Sequence, residues 1–225
     1  MIGIVDYNMG NLASVINAFE KVGADATLES DPSKLNQYDK LILPGVGAFG
    51  DAMEHLKENG MDEAVKAFAA TGKPLLGICL GMQVLFDSSE EFAKDANGTQ
   101  GLGLIPGKVV AFDETKFDHP QKVPHMGWNE MFCRGLTSDD LRSESSAGLT
   151  PTKQSKLFTD LPTDFYLYFV HSFHAVCEDK YTIGKTHYGY EFVSAVQSNN
   201  IYGIQPHPEK SHENGLKIIE NFAKI

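Results

Sequence analysis

The sequence predicts an α/β fold: a mostly parallel central sheet with helices on both faces, extended by a smaller antiparallel sheet region. Three observations predict it. Short apolar runs alternate with amphipathic segments through the first half of the chain, the rhythm of βαβ units. Those runs are almost wholly hydrophobic, as expected of strands buried on both faces. The second half instead carries strand-like runs with aromatic and β-branched content and little helical patterning between them.

Taken in order, Ile2–Tyr7 reads as a buried strand, and Asn11 is placed to cap a helix with Leu12, Val15, Ile16 and Phe19 on one face. Ala24–Leu28 and Lys40–Leu43 read as the next two strands, the latter stopped by Pro44. Helical patterning then runs from Asp51 to Ala70. Lys73-Pro74 punctuates the chain before a fourth strand, Leu75–Ile78, and a helix carrying Met82, Val84, Leu85 and Phe86. Beyond it, Lys108–Phe112, Phe165–Val170, Tyr181–His187, Val193–Gln197 and Ile201–Gln205 read as strands, and Gly215–Lys224 as a closing amphipathic helix. The stretch 134–156 is rich in Ser, Thr, Asp and Gly and reads as an exposed polar insertion. No repeat or linker divides the chain, so residues 1–225 are expected to form one domain.

Composition narrows the function. A formal charge of −11 argues against a nucleic-acid partner, since phosphate contacts need clustered Lys and Arg. Three cysteines are too few for a disulfide scaffold and fit a reducing, cytoplasmic setting. Met1 leads straight into an apolar strand without a basic leader, and no run approaches a membrane span.

The chemistry gathers at Gly77-Ile78-Cys79-Leu80-Gly81. A nucleophile flanked by small residues at a strand-to-helix turn has the pattern of a nucleophile elbow, where glycines permit a sharp turn and the side chain stands clear of the sheet. A helix starting there would lower the thiol pKa and aim a free backbone N–H at an oxyanion. A lone cysteine in such an apolar run is more often core; the paired glycines and a base elsewhere tip the reading. Cys133 and Cys177 lack this setting and read as structural.

The base is His207-Pro208-Glu209, after the last strand. The carboxylate can hold one ring nitrogen while the other takes the thiol proton. Such a triplet also arises by chance at surfaces, but prolines on both sides of His207 restrict its backbone. Gly45-Val46-Gly47-Ala48-Phe49-Gly50 matches a dinucleotide-binding fingerprint. It follows the third strand, not the first, and the next strand ends at Cys79 instead of an acidic ribose ligand. The loop reads better as a second source of oxyanion donors facing Cys79. His207 and His212 have no metal-site spacing.

Gly77-Ile-Cys-Leu-Gly-Met-Gln83 with His207-Pro-Glu209 resembles the class I, or triad, glutamine amidotransferases. Pro44-Gly-Val-Gly47, Val123-Pro-His-Met-Gly-Trp-Asn129, Val170-His-Ser-Phe173, Val5-Asp6-Tyr7 and Gly10-Asn11-Leu12 resemble, more narrowly, the glutaminase subunits of imidazole glycerol phosphate synthases. The resemblance spans the chain apart from 134–156. It implies a flavodoxin-like sheet and a Cys79–His207–Glu209 triad that releases ammonia from L-glutamine. It also implies Val46 and Leu80 as oxyanion donors, and Gly45, Gly47, Gln83, His171, Ser172 and Phe173 around the substrate. The partner implied is a (β/α)8 cyclase subunit receiving ammonia within a heterodimer; no metal or organic cofactor is implied.

Three positions depart from that pattern. Pro206 replaces an aromatic before the histidine, which shortens the terminal strand; Phe173-His174 replaces a pair of aromatics; the insertion is longer. Paralogues of this subunit type serve other acceptors, such as nucleotide-sugar amidination. Two further readings remain: a cysteine peptidase or other thiol hydrolase on the same sheet, and a non-catalytic subunit or redox sensor with Cys79 as a reactive thiol.

Overall fold

The computed structural model describes residues 1–93, 97–133 and 155–225; most of the polar insertion lies outside them. In chain order the elements are β1 (Ile2–Val5), α1 (Leu12–Lys21), β2 (Ala26–Glu29), β3 (Lys40–Leu43), α2 (Phe49–Glu58), α3 (Met61–Ala70), β4 (Leu75–Ile78) and α4 (Leu80–Gln83). Then follow β5 (Phe86–Ser89), β6 (Thr99–Gln100), β7 (Ile105–Ala111), β8 (His125–Cys133), β9 (Asp164–His171), β10 (Phe173–Val176), β11 (Thr182–Tyr188), β12 (Tyr190–Ser198), β13 (Ile201–Ile204) and α5 (His212–Lys224).

The parallel half runs β2-β1-β3-β4-β13. Its strands alternate side chains between two cores. Val5, Leu41, Leu43 and Leu75 face α2 and α3, packing with Phe49, Leu56, Val65 and Phe68. Ile2, Ile4, Ile42, Leu76 and Ile78 face α1 and α5, packing with Val15, Phe19, Ile219 and Phe222. Each such side chain, fully buried, contributes about 1.5–3 kcal/mol, and this double cover is why β1, β4 and β13 are buried at every position while the edge strand β2 carries Thr27 and Glu29. From β13 the sheet continues antiparallel through β12, then β10 and β7, with β11, β8 and β9 branching from β12.

Several elements differ from the sequence reading. The pattern from Asp51 to Ala70 breaks into two helices at Gly60, which adopts φ 77°. Asn11 sits at the start of α1 but its side chain caps no N–H. The helix after Cys79 is one turn of four residues. It stops because the carbonyls of Val84, Leu85 and Phe86 are taken by the N–H groups of Leu102, Leu104, Ile105 and Gly103, so Phe86 opens β5 beside β7. The terminal strand ends at Ile204, one residue before the expected Gln205 and two before Pro206. Unanticipated altogether were β6, β10 and β8; the last runs through the Pro-His-Met-Gly-Trp-Asn motif and pairs with β9 from His125↔His171 to Phe132↔Asp164.

Candidate active site

Parallel strands collect functional groups at their carboxyl ends, and this chain follows that rule. Tyr7 follows β1, the Pro44–Gly47 loop follows β3, Cys79 follows β4 and His207 follows β13.

The elbow is built by glycines that nothing larger can replace. Cys79 itself is forced to φ 54°, ψ −112°, a region costing about 1–3 kcal/mol for a residue with a Cβ. Its N–H donates to Ile204 O at 2.8 Å, and its carbonyl accepts from Met82 and Gln83 N–H. A Cβ on Gly77 would lie 2.4 Å from Gly81 O; one on Gly81, 1.8 Å from Leu43 O; one on Gly203, 2.7 Å from Met82. Gly77 and Gly203 are register partners in adjacent strands, so together they clear the space in which the single turn of α4 lies against the sheet.

His207 is clamped from both sides. Its N–H donates to Tyr168 O at 2.9 Å, and its carbonyl accepts from Ser211 Oγ at 2.6 Å, while Ser211 Oγ accepts from Tyr168 N–H at 2.9 Å. The ring's Nδ1 lies 2.7 Å from Glu209 Oε1, both side chains almost wholly buried. Burial alone would lower the imidazole pKa; hydrogen bonding to Cys79 and Glu209, with their negative charge, outweighs it and pushes it up to about 10. Nε2 makes no bond of good geometry, so the contact with the sulfur is loose, as catalytic contacts often are before substrate arrives.

A cavity of about 330 Å³ opens over the sulfur, lined by Val46, Gly47, Cys79, Leu80, Gln83, His171, Ser172, Phe173 and His207. Of the residues picked from sequence, only Glu209 and Gly45 stand outside it. Glu209 sits behind the imidazole. Gly45 packs beneath the loop, where a Cβ would meet Tyr7 Oη at 2.7 Å and Gly81 N at 2.8 Å. Among the described residues the N–H groups of Val46 and Leu80 meet no acceptor. His171 is not the surface histidine its strand-end position could equally suggest. It is buried, its Nδ1 is 2.8 Å from Phe173 O and its Nε2 is 3.0 Å from His125 Nδ1. Burial, then His125, holds its pKa well below the usual value. His174, the departure from an aromatic pair, is also buried and contacts Tyr190 Oη at 2.8 Å.

Four residues at the site were given no role there by the sequence. Tyr7, buried, donates to Pro44 O at 2.7 Å and anchors the glycine loop; burial, then the charge at Cys79, raises its pKa. Glu91 lines the cavity, and its carboxylate accepts the first N–H of α2, from Phe49, at 2.7 Å. Burial raises the Glu91 pKa. That contact also disposes of the dinucleotide reading, because the helix N-terminus that would hold a pyrophosphate already holds a carboxylate. Gln205 and His125 complete the set.

The family described as "Glutamine amidotransferase class-I" matches residues 3–225. The chain is 63% identical over 225 residues to "Imidazole glycerol phosphate synthase subunit HisH" of Sulfurimonas denitrificans, covering all of this chain and 98% of that one. It is 53% identical over 226 residues to the subunit of the same name from Wolinella succinogenes, covering both chains fully. Among solved structures, PurLQS from Thermotoga maritima superposes with a TM-score of 0.69 at 20% identity, covering 99% of this chain and 97% of that one, a likeness of fold.

Proposed function

The chain belongs to the class I glutamine amidotransferases, and from that premise we propose that it hydrolyses L-glutamine to glutamate and ammonia as one subunit of an imidazole glycerol phosphate synthase. The observation that carries the reading is the buried His207–Glu209 pair beside a cysteine strained out of the sheet plane, under a cavity sized for an amino acid.

In this reading Cys79 Sγ attacks the side-chain amide carbon of glutamine. His207, holding the proton taken from the thiol, returns it through Nε2 to the leaving nitrogen, and ammonia departs from a thioester. Water then attacks the thioester with His207 as base, releasing glutamate and the thiol. Glu209 keeps the ring oriented and favours its charged form. The free N–H groups of Val46 and Leu80 receive the oxyanion at both tetrahedral stages, each worth about 10²–10³-fold in rate. Gly47, Gln83, His171, Ser172 and Phe173 surround the substrate, and Glu91 is the carboxylate available to its α-ammonium group. Gln83 and the Gly45–Gly47 loop beside Cys79 favour a small amide substrate over a peptide, and ammonia release measured against peptide cleavage separates the two.

The ammonia is passed to a (β/α)8 cyclase subunit in a heterodimer, the acceptor chemistry being that of histidine biosynthesis. We place the complex in the cytoplasm; among the described residues no helix is long and apolar enough to cross a membrane. The test is ammonia release from glutamine by the wild type and Cys79→Ala, each with the cyclase subunit present. Release should vanish in the variant while the two subunits still co-elute. Ammonia released by Cys79→Ala at the wild-type rate would overturn the reading.

A further inference from the structure

The sulfur of Cys79 has a polar neighbour besides His207. Gln205 Nε2 lies 3.7 Å from Cys79 Sγ, within reach of an N–H···S hydrogen bond. Gln205 is 0% exposed and follows β13 directly, its backbone N–H fixed to Ser194 O at 2.8 Å. It does not line the cavity, so it is not placed to read the substrate.

An amide could present either its nitrogen or its oxygen to the sulfur, and the surrounding bonds decide which. Gln83 Nε2 lies 3.1 Å from Phe173 O and 3.0 Å from Gln205 Oε1. Both partners are acceptors, so both hydrogens of the Gln83 amide are committed and Gln83 cannot turn over. Gln205 Oε1 must therefore face Gln83, which leaves Gln205 Nε2 facing the sulfur. The order extends outward from Phe173 O. This carbonyl also accepts from His171 Nδ1 at 2.8 Å, which makes His171 Nε2 an acceptor for His125 Nδ1 at 3.0 Å. His125 Nε2 in turn accepts from Asn129 Nδ2 at 3.2 Å. Every link is satisfied with both imidazoles neutral, the state that burial favours for both.

We propose that Gln205 is a hydrogen-bond donor to the nucleophile. Its amide, held the right way round by Gln83, stabilises the Cys79 thiolate, whose protonated form instead points its S–H at Val170 O, 3.9 Å away. The idea rests on the glutaminase reading only in taking Cys79 as the nucleophile, since a thiolate can be observed without any turnover.

The test is the pH dependence of Cys79 alkylation by iodoacetamide in the full-length chain, with Cys79→Ala as the blank. In Gln205→Leu the pH midpoint should rise by about one unit, a tenfold smaller thiolate fraction below the midpoint. Gln205→Glu, which offers no donor when ionised, should raise it further. An unchanged midpoint in a Gln205→Leu protein of native circular dichroism overturns the proposal and leaves the glutaminase reading standing. If that variant does not fold, the wild type decides through the Gln205 side-chain amide resonances in a ¹⁵N-labelled protein, assigned by through-space contacts to Gln83. They should shift across the same pH midpoint as alkylation, and resonances indifferent to that midpoint overturn the proposal equally.

Discussion

Burial lowers the pKa of the His207 ring proton, but interaction with Cys79 and Glu209 outweighs it and pushes the imidazole up to about 10. The folded state therefore binds this proton more tightly than an unfolded chain, whose imidazole titrates near 6.5. The stability gained is complete below about pH 6.5 and is lost as pH rises through about 10. Glu209→Gln should accordingly cost more unfolding free energy in urea at pH 6 than at pH 10. A penalty that grew toward pH 10 would mean the carboxylate does not act through the charged ring. The same substitution should lower kcat/KM by about 10²-fold, a smaller loss than that from Cys79→Ala, since it misorients the base without removing the nucleophile. The convergence of Cys79, His207 and Glu209, the proposed triad, was legible in the sequence because they are rare residue types in rigid settings: glycines around Cys79, prolines around His207. Gln205, Glu91 and Tyr7 carry no such marking. Gln205 meets Cys79 across 126 positions and Tyr7 meets Pro44 across 37, and common residues in long-range contact leave no local pattern to read.

At the level of elements, the elbow depends on three backbones passing at near contact. A Cβ at Gly81 would overlap Leu43 O at 1.8 Å, and backbone atoms in a buried parallel strand cannot yield as a side-chain tip can. Gly81→Ala should therefore destabilise the fold by about 1–3 kcal/mol or more and misplace the Leu80 N–H. Gly50→Ala, where nothing lies within 4 Å, is the matched control and should be nearly neutral, as a shift in urea midpoint would show. The inner strands of the parallel half, β1, β3, β4 and β13, were readable because their faces are buried and their residues are apolar apart from Lys40 and a few glycines. The antiparallel strand β8 was not, because Gly127, Asn129 and Glu130 interrupt its apolar residues. Its identity as a strand comes from pairing with β9, a partner more than thirty residues away in sequence. The overlong helix after Cys79 failed for the opposite reason. Met82, Val84, Leu85 and Phe86 are all buried, but around one turn and a strand, and a short apolar run fits either periodicity.

At the scale of the whole molecule, the outer face of β8 exposes three large apolar side chains, with Glu130 set among them. Met126 is 62% exposed, Trp128 46% and Phe132 45%, with Tyr166 of the neighbouring β9 at 54%. Exposed apolar residues grouped in this way mark an interaction surface. Trp128 is pre-set for contact, its ring stacked on His212 at 5.0 Å and 2°, so little side-chain freedom would be lost on binding. The same strand carries His125 and Asn129, which lead inward through His171 to Phe173 O on the cavity wall. A partner seated on β8 would thus press on the element that holds the substrate side of the site, while the Nε2 of His207 still lacks a well-formed bond. The isolated chain is therefore expected to be a weak glutaminase, and the cyclase subunit to raise its kcat by tightening this geometry. Trp128→Ala should weaken subunit association by about 2 kcal/mol or more, a hot-spot loss, without altering the slow basal ammonia release of the free chain. Titration calorimetry against the cyclase subunit, with glutaminase assays on the free and saturated protein, checks both statements. Unchanged affinity would move the interface off β8, and full activity in the free chain would show that the triad needs no partner to close.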